Sequence, residues 1–324
     1  MPDLVALIAA FVVAVVLCRP AIALLRRHGY GQRVRDDGPQ SHLDKRGTPT
    51  MGGIVIIVAF IAAVAISLPL ISASGGALTL VLALTVGFGL VGLTDDWAII
   101  KHKRSLGLRA REKLALQFIL AAGFLYLLRG LGFVNLVVLV PFSDALLRLG
   151  WWYYPAAAVF IVLTSNSINL TDGLDGLAAG LAAIAGISVG VLASIRGEPA
   201  MSAALFALAG ACIGFLWYNA HPARVFMGDT GSLALGAALA GAAIALKAEL
   251  LLLVIGIIFY IEALSVIVQV AAFRLTAKRV LRMSPLHHHL ELSGWPEPQI
   301  VARMWIAGSL IGWGAVVVER LRPW

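Results

Sequence analysis

Long apolar stretches recur along almost the whole chain, and short polar connections separate them. About 20 apolar residues in a helix cross the roughly 30 Å hydrocarbon layer of a membrane, so each stretch predicts a transmembrane helix. The predicted spans lie at about 4–25, 51–71, 76–94, 113–131, 151–168, 176–195, 200–218, 231–247, 249–273 and 300–319. The pattern therefore predicts an all-α polytopic membrane protein with about ten transmembrane helices.

The segment 132–150 does not fit this pattern. It is apolar, but Pro141 and several polar residues interrupt it, and its stretch FVNLVVLV is rich in residues that favour strands. We predict a short hairpin here, on the periplasmic side. No linker rich in Pro, Gly or Ser separates a soluble part, so residues 1–324 are predicted to form a single integral membrane domain.

Composition supports the same class of protein. The chain is 60% hydrophobic and 13% charged, and its mean hydropathy is +0.92. A soluble domain of 324 residues needs more polar surface than this. The two cysteines, Cys18 and Cys212, lie in separate apolar stretches, so a cysteine-based zinc site is excluded.

Basic residues predict how the spans are oriented. The connections after spans 1, 3, 5, 7 and 9 hold 17 of the 25 Lys and Arg residues, whereas the opposite side holds six. Connections rich in Lys and Arg stay in the cytoplasm, so the first group is predicted to be cytoplasmic and both termini periplasmic. The net charge of +8 is thus mainly a topology signal, and no nucleic-acid partner is expected.

The unusual polar motifs all fall on the predicted cytoplasmic side. The stretch GLTDDWAII places Asp95 and Asp96 at the end of span 3, where a helix meets the interface. Adjacent carboxylates repel each other, and acidic residues at a helix C-terminus oppose its dipole. A functional role is therefore predicted; the alternative is an ordinary solvated helix end.

The connection between spans 5 and 6, NSINLTDGLDGLAAG, repeats a polar side chain every three residues at Asn169, Asp172 and Asp175. On a helix the two acids would share a face, and Gly173 would let the backbone approach a ligand closely. An N-cap would account for Asp172 but not for the whole array. The spacing of a calcium-binding loop is absent.

The connection between spans 7 and 8, NAHPARVFMGDTGSLALG, places Asp229 just before an apolar helix. One acid at such a position is most often a cap. A carboxylate beside exposed backbone N–H groups also suits a magnesium–phosphate site. Phe226 suits either core packing or stacking on a base.

Two further connections on this side are basic. HLDKRGTPTMGG precedes span 2 with Lys45, Thr50 and the pair Gly52 and Gly53, a combination that suits anion binding. HKRSLGLRAREKLALQ leads into span 4, which Lys113 opens. The alternative for the basic residues is simple retention of positive charge in the cytoplasm.

The stretch SPLHHHLELSGWPE between spans 9 and 10 holds His287, His288 and His289. Consecutive residues on a helix diverge by about 100°, whereas zinc needs ligands that converge, so shared zinc ligation is disfavoured. One imidazole is predicted to face a site and another to hydrogen-bond its support. Acids, basic residues, glycines and histidines on one face together predict Mg²⁺-dependent phosphate chemistry.

The stretches TDDW, NLTDGLDGLAAG and FMGDTGSLALG resemble the polyprenyl-phosphate N-acetylhexosamine-1-phosphate transferase superfamily. Within it, KRGTPTMGG and PLHHHLELSGWPE resemble the bacterial phospho-N-acetylmuramoyl-pentapeptide transferases. The resemblance runs from about Asp44 to Arg303. It implies transfer of phospho-MurNAc-pentapeptide from UDP-MurNAc-pentapeptide to undecaprenyl phosphate, with Mg²⁺ as cofactor. The products would be UMP and lipid I, made at the cytoplasmic face of the bacterial inner membrane.

Site residues follow from this resemblance position by position. It implies Asp95, Asp96, Asp229 and His287 as catalytic residues, and Asp229 as the Mg²⁺ ligand. The positions that match substrate-binding residues are Lys45, Thr50, Lys113, Asn169, Asp172, Asp175, Asn219, Phe226, Gly228, Gln269 and His288. The family also bends its ninth span away from the bundle, which the unbroken stretch 249–273 does not show by itself.

Three other functions compete with this one. A sibling transferase would use UDP-N-acetylglucosamine, but the histidine stretch argues against it. A transporter would place ionisable residues at the membrane midplane, but Glu262 is nearly the only acid well inside a span, which argues against transport. A UbiA-like prenyltransferase would not need the histidine stretch. The sequence is compatible with a monomer or a homodimer, and with direct attack or a double displacement through an aspartyl-phosphate.

Overall fold

The computed structural model describes residues 1–27, 29, 47–71, 75–102, 107–143 and 145–321. In these residues the chain is almost entirely helical, which confirms the predicted all-α class. The helices are α1 (Pro2–Arg27), α2 (Gly53–Ser67), α3 (Gly76–His102), α4 (Ala110–Gly130), α5 (Tyr153–Thr171), α6 (Leu177–Ile195), α7 (Pro199–Asn219), α8 (Gly228–Ala245), α9 (Glu249–Ile255), α10 (Ile257–Thr276), α11 (Leu286–Glu291) and α12 (Glu297–Arg320).

The hairpin predicted within 132–150 is also confirmed. Strand β1 (Val137–Leu139) pairs antiparallel with β2 (Leu146–Arg148), and Val138 lies opposite Leu147. The hairpin connects α4 to α5, at the end of the bundle opposite the acidic motifs. Two polar contacts hold other segments at that end: Tyr153 donates a hydrogen bond of 2.6 Å to Glu249, and Arg196 pairs with Glu319 at 3.1 Å.

Nine helices in the described part of the chain are long and apolar enough to cross a membrane, namely α1, α2, α3, α4, α6, α7, α8, α10 and α12. Helix α5 coincides with the fifth of the ten predicted spans. It falls outside this set because Ser165, Asn166 and Ser167 lower its hydropathy. It nevertheless packs inside the bundle against α4, α8 and α10. The protein is therefore a multi-pass membrane protein.

Helices α6, α7 and α8 form the centre of the bundle, and most of their residues are buried. They are rich in Ala and Gly, whose small side chains let helices in a membrane approach closely. Helices α1, α4 and α10 lie at the periphery and expose apolar side chains such as Ile8, Ile119 and Ile267. A large exposed apolar surface of this kind suits contact with lipid.

Helix α3 is longer than the sequence predicted. The predicted span ended at residue 94, which put the two adjacent acids at a helix terminus, but α3 continues to His102. Lys101 lies 4.4 Å from the centroid of the Trp97 ring one turn earlier, and such a cation–π contact stabilises the added turns. Asp95 and Asp96 therefore lie inside the helix, where they face neighbouring helices and are buried.

The ninth predicted span, 249–273, is not continuous. Helix α9 ends at Ile255 and α10 begins at Ile257, so Gly256 separates them. Glycine is a poor helix former, so it is a low-cost place for the break. Helix α9 packs on α12, α8 and α6, whereas α10 packs mainly on α5. The break thus brings α10 and the following α11 beside the end of α5, close to the acidic motifs.

Candidate active site

One end of the bundle collects the C-terminal ends of α3, α5 and α7 and the N-terminal ends of α4, α6 and α8. Four of these helices, α3, α4, α5 and α8, each contribute one polar side chain to a cluster. Asp229 lies in the first turn of α8. Its Oδ1 accepts a hydrogen bond of 2.8 Å from Asn169 Nδ2, and its Oδ2 accepts one from Lys113 Nζ. Lys113 Nζ also lies 3.8 Å from Asp95 Oδ2. One lysine thus faces two carboxylates.

Asp96 caps the start of α8. Its Oδ1 accepts a hydrogen bond of 3.1 Å from the backbone N–H of Asp229. Its Oδ2 accepts bonds from the backbone N–H and the hydroxyl of Thr230, at 3.0 and 2.6 Å. The sequence suggested that backbone N–H groups beside Asp229 were exposed; this was wrong, because Asp96 occupies them. A buried carboxylate at a helix N-terminus also interacts favourably with the helix dipole.

Asp95 is held from the α3–α4 connection. Its Oδ1 accepts a hydrogen bond of 2.8 Å from the backbone N–H of Leu108. The first turn of α4 follows at once, and Glu112 at its third position accepts the backbone N–H of Arg109 at 3.2 Å. This start directs Lys113, one residue later, towards the cluster.

Asp172 lies at the C-terminal end of α5, and residues 172–176 form turns rather than the helix considered from the sequence. Asp172 is therefore not an N-cap, and it does not share a helical face with Asp175. Burial raises the pKa of Asp172 to about 8, and the negative charges of Asp229, Asp96 and Asp175 contribute to this rise. The cluster therefore carries an excess of negative charge, which a cation would relieve.

Two glycines join the start of α2 to the start of α8. The N–H groups of Gly52 and Gly53 donate to the carbonyls of Phe226 and Met227, both at 2.9 Å. A Cβ on Gly53 would lie 2.1 Å from the backbone nitrogen of Gly231. The predicted anion site included accessible backbone at this pair; that part was wrong, because both N–H groups are already used. The glycines instead place the segment before α2 against the acidic cluster.

Gly228 shows how close that segment comes. Its φ is +71°, in the left-handed region that favours glycine. A Cβ there would lie 2.6 Å from Asp96 Oδ2 and 2.9 Å from Thr50 Oγ1. The Thr50 hydroxyl therefore lies beside the start of α8 that Asp96 caps. Lys45 lies outside the described residues.

Asn219 and Asp175 connect two loops at the edge of the cluster. Asn219 accepts the N–H of Gly176 at 3.2 Å and donates to the carbonyl of Val225 at 2.9 Å. Asp175 Oδ2 accepts the N–H of Ala223 at 3.0 Å. These predicted substrate-binding side chains thus also shape the wall that carries the half-buried Phe226.

The three consecutive histidines have three different neighbours. His287 is fully buried, and its Nδ1 lies 3.1 Å from Glu262 Oε2. His288 Nδ1 lies 2.7 Å from Glu291 Oε2, and His289 Nδ1 accepts the backbone N–H of Arg282 at 3.1 Å. The polar partners of the three rings thus lie on three different segments, and the His287 and His288 rings contact each other edge-on with centroids 4.2 Å apart.

Gln269 holds the loop that leads from α10 to these histidines. Its Oε1 accepts the N–H groups of Val280 and Leu281 at 3.1 and 2.9 Å, and its Nε2 donates to the carbonyl of Leu281 at 3.0 Å. The sequence did not anticipate this contact, nor the hydroxyl of Thr230 on Asp96. Glu262 stood out in the sequence as an acid inside an apolar span, but the sequence did not indicate its partner, His287, which lies 25 residues later.

The sequence matches Glycosyl transferase family 4 over residues 78–247 and the Phospho-N-acetylmuramoyl-pentapeptide-transferase signature 1 over residues 45–57. A phospho-N-acetylmuramoyl-pentapeptide-transferase of Desulforudis audaxviator is 49% identical over 328 residues, which cover 96% of each chain. This chain belongs to the phospho-N-acetylmuramoyl-pentapeptide-transferase family. Relatives of the same name from Geobacillus kaustophilus and Geobacillus thermodenitrificans are 47% and 46% identical, over 97% and 98% of this chain and 97% and 99% of theirs.

The two matched ranges cover different parts of the site. The broader family match contains all four residues of the cluster around Asp229. The signature contains the segment that packs on the start of α8. The histidine segment 284–297 lies outside both ranges. The four residues of the cluster thus lie in the range that matches Glycosyl transferase family 4, whereas α11 lies outside both matched ranges.

Proposed function

We propose that this protein transfers phospho-MurNAc-pentapeptide from UDP-MurNAc-pentapeptide to undecaprenyl phosphate and releases UMP and lipid I. The observation that carries the proposal is the convergence of Asp95, Lys113, Asn169 and Asp229 from four helices at one end of the bundle. The names of its relatives supply the substrate class, since each is called a phospho-N-acetylmuramoyl-pentapeptide-transferase.

Mg²⁺ is the proposed cofactor, and the residues of the cluster fit it. Asp229, Asp95 and Asp172 offer carboxylate oxygens, the hard donors that Mg²⁺ prefers, and the charge of Asp229 repels those of Asp95 and Asp172, which favours a cation. Asp229 is the proposed ligand, and Asn169 would orient its carboxylate through the 2.8 Å hydrogen bond. When bound, Mg²⁺ would offset negative charge on the pyrophosphate and on the departing UMP.

Asp95 and Lys113 are proposed to receive the acceptor phosphate. Asp95 would remove its proton when it carries one. A phosphate monoester is largely ionised near neutral pH, since its second pKa is about 6, so positioning matters more than proton removal. The Lys113 ammonium faces both Asp95 and Asp229 and would stabilise the two phosphates where they meet.

The proposed reaction is one direct displacement. An oxygen of undecaprenyl phosphate attacks the β-phosphorus of the UDP-linked substrate and forms the new P–O–P bond. The bond from that phosphorus to the oxygen bridging the α-phosphorus breaks, and UMP leaves with that oxygen. Asp96 would act through structure, because its hydrogen bonds hold the backbone that carries Asp229.

A substrate comparison tests the proposed function. The detergent-solubilised protein, given Mg²⁺ and undecaprenyl phosphate, is expected to form a lipid-linked product and UMP with UDP-MurNAc-pentapeptide but not with UDP-N-acetylglucosamine. A parallel preparation of Asp229→Asn controls for host transferases. Equal product from both nucleotide sugars, or product from UDP-N-acetylglucosamine alone, would reject the proposed specificity in favour of the sibling activity.

The site is proposed to face the cytoplasm of a bacterial inner membrane, since the cluster lies at the end of the bundle where basic residues concentrate. Glu198 precedes α7 and Pro222 follows it, and both are exposed. A membrane-impermeant thiol reagent added to intact cells is expected to label Glu198→Cys and to miss Pro222→Cys until the cells are permeabilised. Cys18 and Cys212 are buried, so the parent chain serves as the unlabelled control. Labelling of only Pro222→Cys in intact cells would reverse the orientation.

A further inference from the structure

Glu262 is a carboxylate inside a membrane-spanning helix. It lies in α10, most of whose surface is exposed apolar side chains, yet its own side chain is fully buried against the bundle. A buried carboxylate is costly in the middle of a membrane unless a partner compensates it, and such acids usually serve a function. The proposed transfer does not use Glu262 directly, so its partner is informative.

The partner of Glu262 is His287 on α11. Oε2 of Glu262 accepts the backbone N–H of His287 at 3.3 Å, and the same oxygen lies 3.1 Å from the ring Nδ1. Among the described residues, neither ring nitrogen of His287 makes a hydrogen bond of good geometry. Oε2 of Glu262 is nevertheless within 3.1 Å of Nδ1, and the neighbouring His288 ring contacts the His287 ring edge-on, with the two centroids 4.2 Å apart.

The other edge of the His287 ring faces the turn that carries Asp172. A Cβ built on Gly173 would lie 2.2 Å from His287 Nε2 and 2.8 Å from Cε1. Asp172, the preceding residue, interacts electrostatically with Asp229 and Asp96. The imidazole thus lies between a buried carboxylate on one side and the edge of the acidic cluster on the other.

We propose that Glu262 is a positioning residue for His287. A carboxylate beside Nδ1 favours the tautomer with hydrogen on Nδ1 and fixes the plane of the ring, which directs Nε2 towards the Gly173 turn and the proposed pyrophosphate site. This inference rests on the proposed function, in which His287 assists the transfer. The new element is that Glu262, on the neighbouring helix α10, orients the His287 ring.

The test is a double-mutant cycle in the lipid I assay with UDP-MurNAc-pentapeptide. Glu262→Gln preserves volume, but it removes the charge, and its amide can present either an oxygen or an N–H to Nδ1, so the tautomer is no longer fixed. We expect kcat to fall about 10- to 100-fold, the usual cost of losing a carboxylate that orients a functional histidine, with little change in KM. In a His287→Ala background the same substitution is expected to cause no further loss, because both changes remove one unit.

Two further variants separate charge and fold from orientation. Glu262→Asp keeps the charge and is expected to recover part of the lost kcat. Ser265 is a buried residue of the same helix, and among the described residues its hydroxyl donates to the carbonyl of Glu262 rather than to the carboxylate. Ser265→Ala is therefore expected to have the activity of the wild type. Thermal midpoints in detergent check folding, and if Glu262→Gln does not fold, the cycle is run with Glu262→Met, which also removes the carboxylate at similar volume.

The outcomes distinguish the inference from the function on which it rests. Wild-type kcat in Glu262→Gln, or an equal loss with and without the His287 ring, would overturn the positioning role while leaving the transferase intact. Wild-type kcat in His287→Ala would remove the role of the ring itself. Failure of the wild-type protein to make lipid I would reject the proposed function.

Discussion

Asp229→Asn is expected to abolish nearly all turnover, with a fall in kcat of about 10³-fold, the upper range for the loss of one preorganised electrostatic group. Asparagine keeps the size of the side chain and can accept from either Lys113 or Asn169, and the bonds from the backbone of α8 to Asp96 are unchanged, so the start of α8 should keep its structure. The lost charge is the one proposed to bind Mg²⁺. Initial rates over a Mg²⁺ titration measure the effect.

A matched control separates this role from a general loss of acidity. Glu198→Gln makes the same carboxylate-to-amide change at an exposed position before α7, at the opposite end of the bundle. Its rate and Mg²⁺ dependence should equal those of the wild type. Equal thermal midpoints in detergent would show that both variants are folded. Near-normal, Mg²⁺-dependent turnover by Asp229→Asn would exclude it as the ligand.

The sequence was sufficient for the fold class because the signals for spans and orientation are local. An apolar stretch of about 20 residues identifies its own helix, and basic residues on alternate connections place alternate helix ends together. The acids at residues 95 and 229 could thus be assigned to one end of the bundle although they lie on different helices. Their contact through Lys113 agrees with that assignment.

The same local signals failed where a contact between distant segments decides the structure. The sequence gives no sign that Asp96 caps α8, because that bond spans 134 residues and depends on how α3 packs against α8. The resemblance implies a bend in the ninth span, but the apolar pattern does not show the break at Gly256, because an isolated glycine is tolerated in a helix. The two pieces differ in their packing, since α9 contacts α12, α8 and α6 whereas α10 contacts mainly α5. Propensity is a weak prior, and tertiary contacts override it.

The roles of the glycines needed the structure for a different reason. A glycine near a proposed phosphate site predicts close approach, but the sequence does not say by what. At Gly53 the approaching group is the backbone of α8, so the glycine is used for helix packing. At Gly173 the approaching group is the ring of His287, so a side chain added at Gly173 would displace that ring.

His287→Ala is expected to lower kcat by about 10²-fold or more, the scale for losing one group that stabilises charge in a transition state. His289→Ala should be milder, because its ring accepts a backbone N–H of the α10–α11 loop and does not face the Gly173 turn. Gly173→Ala should approach the effect of removing the His287 ring, since its Cβ would occupy the space of Nε2.

These variants form a graded test of whether the buried ring assists the transfer. Gly123→Ala is the matched control for the glycine change, because a Cβ there meets nothing within 4 Å, and its rate should equal that of the wild type. The left-handed region is not required at Gly173, so alanine acts there through volume rather than backbone strain.

If Gly173→Ala lost activity equally with and without the His287 ring, the turn would matter independently of the imidazole. An unchanged rate in His287→Ala would show that the ring supports structure alone, and the transfer would then depend on the cluster of Asp95, Lys113 and Asp229.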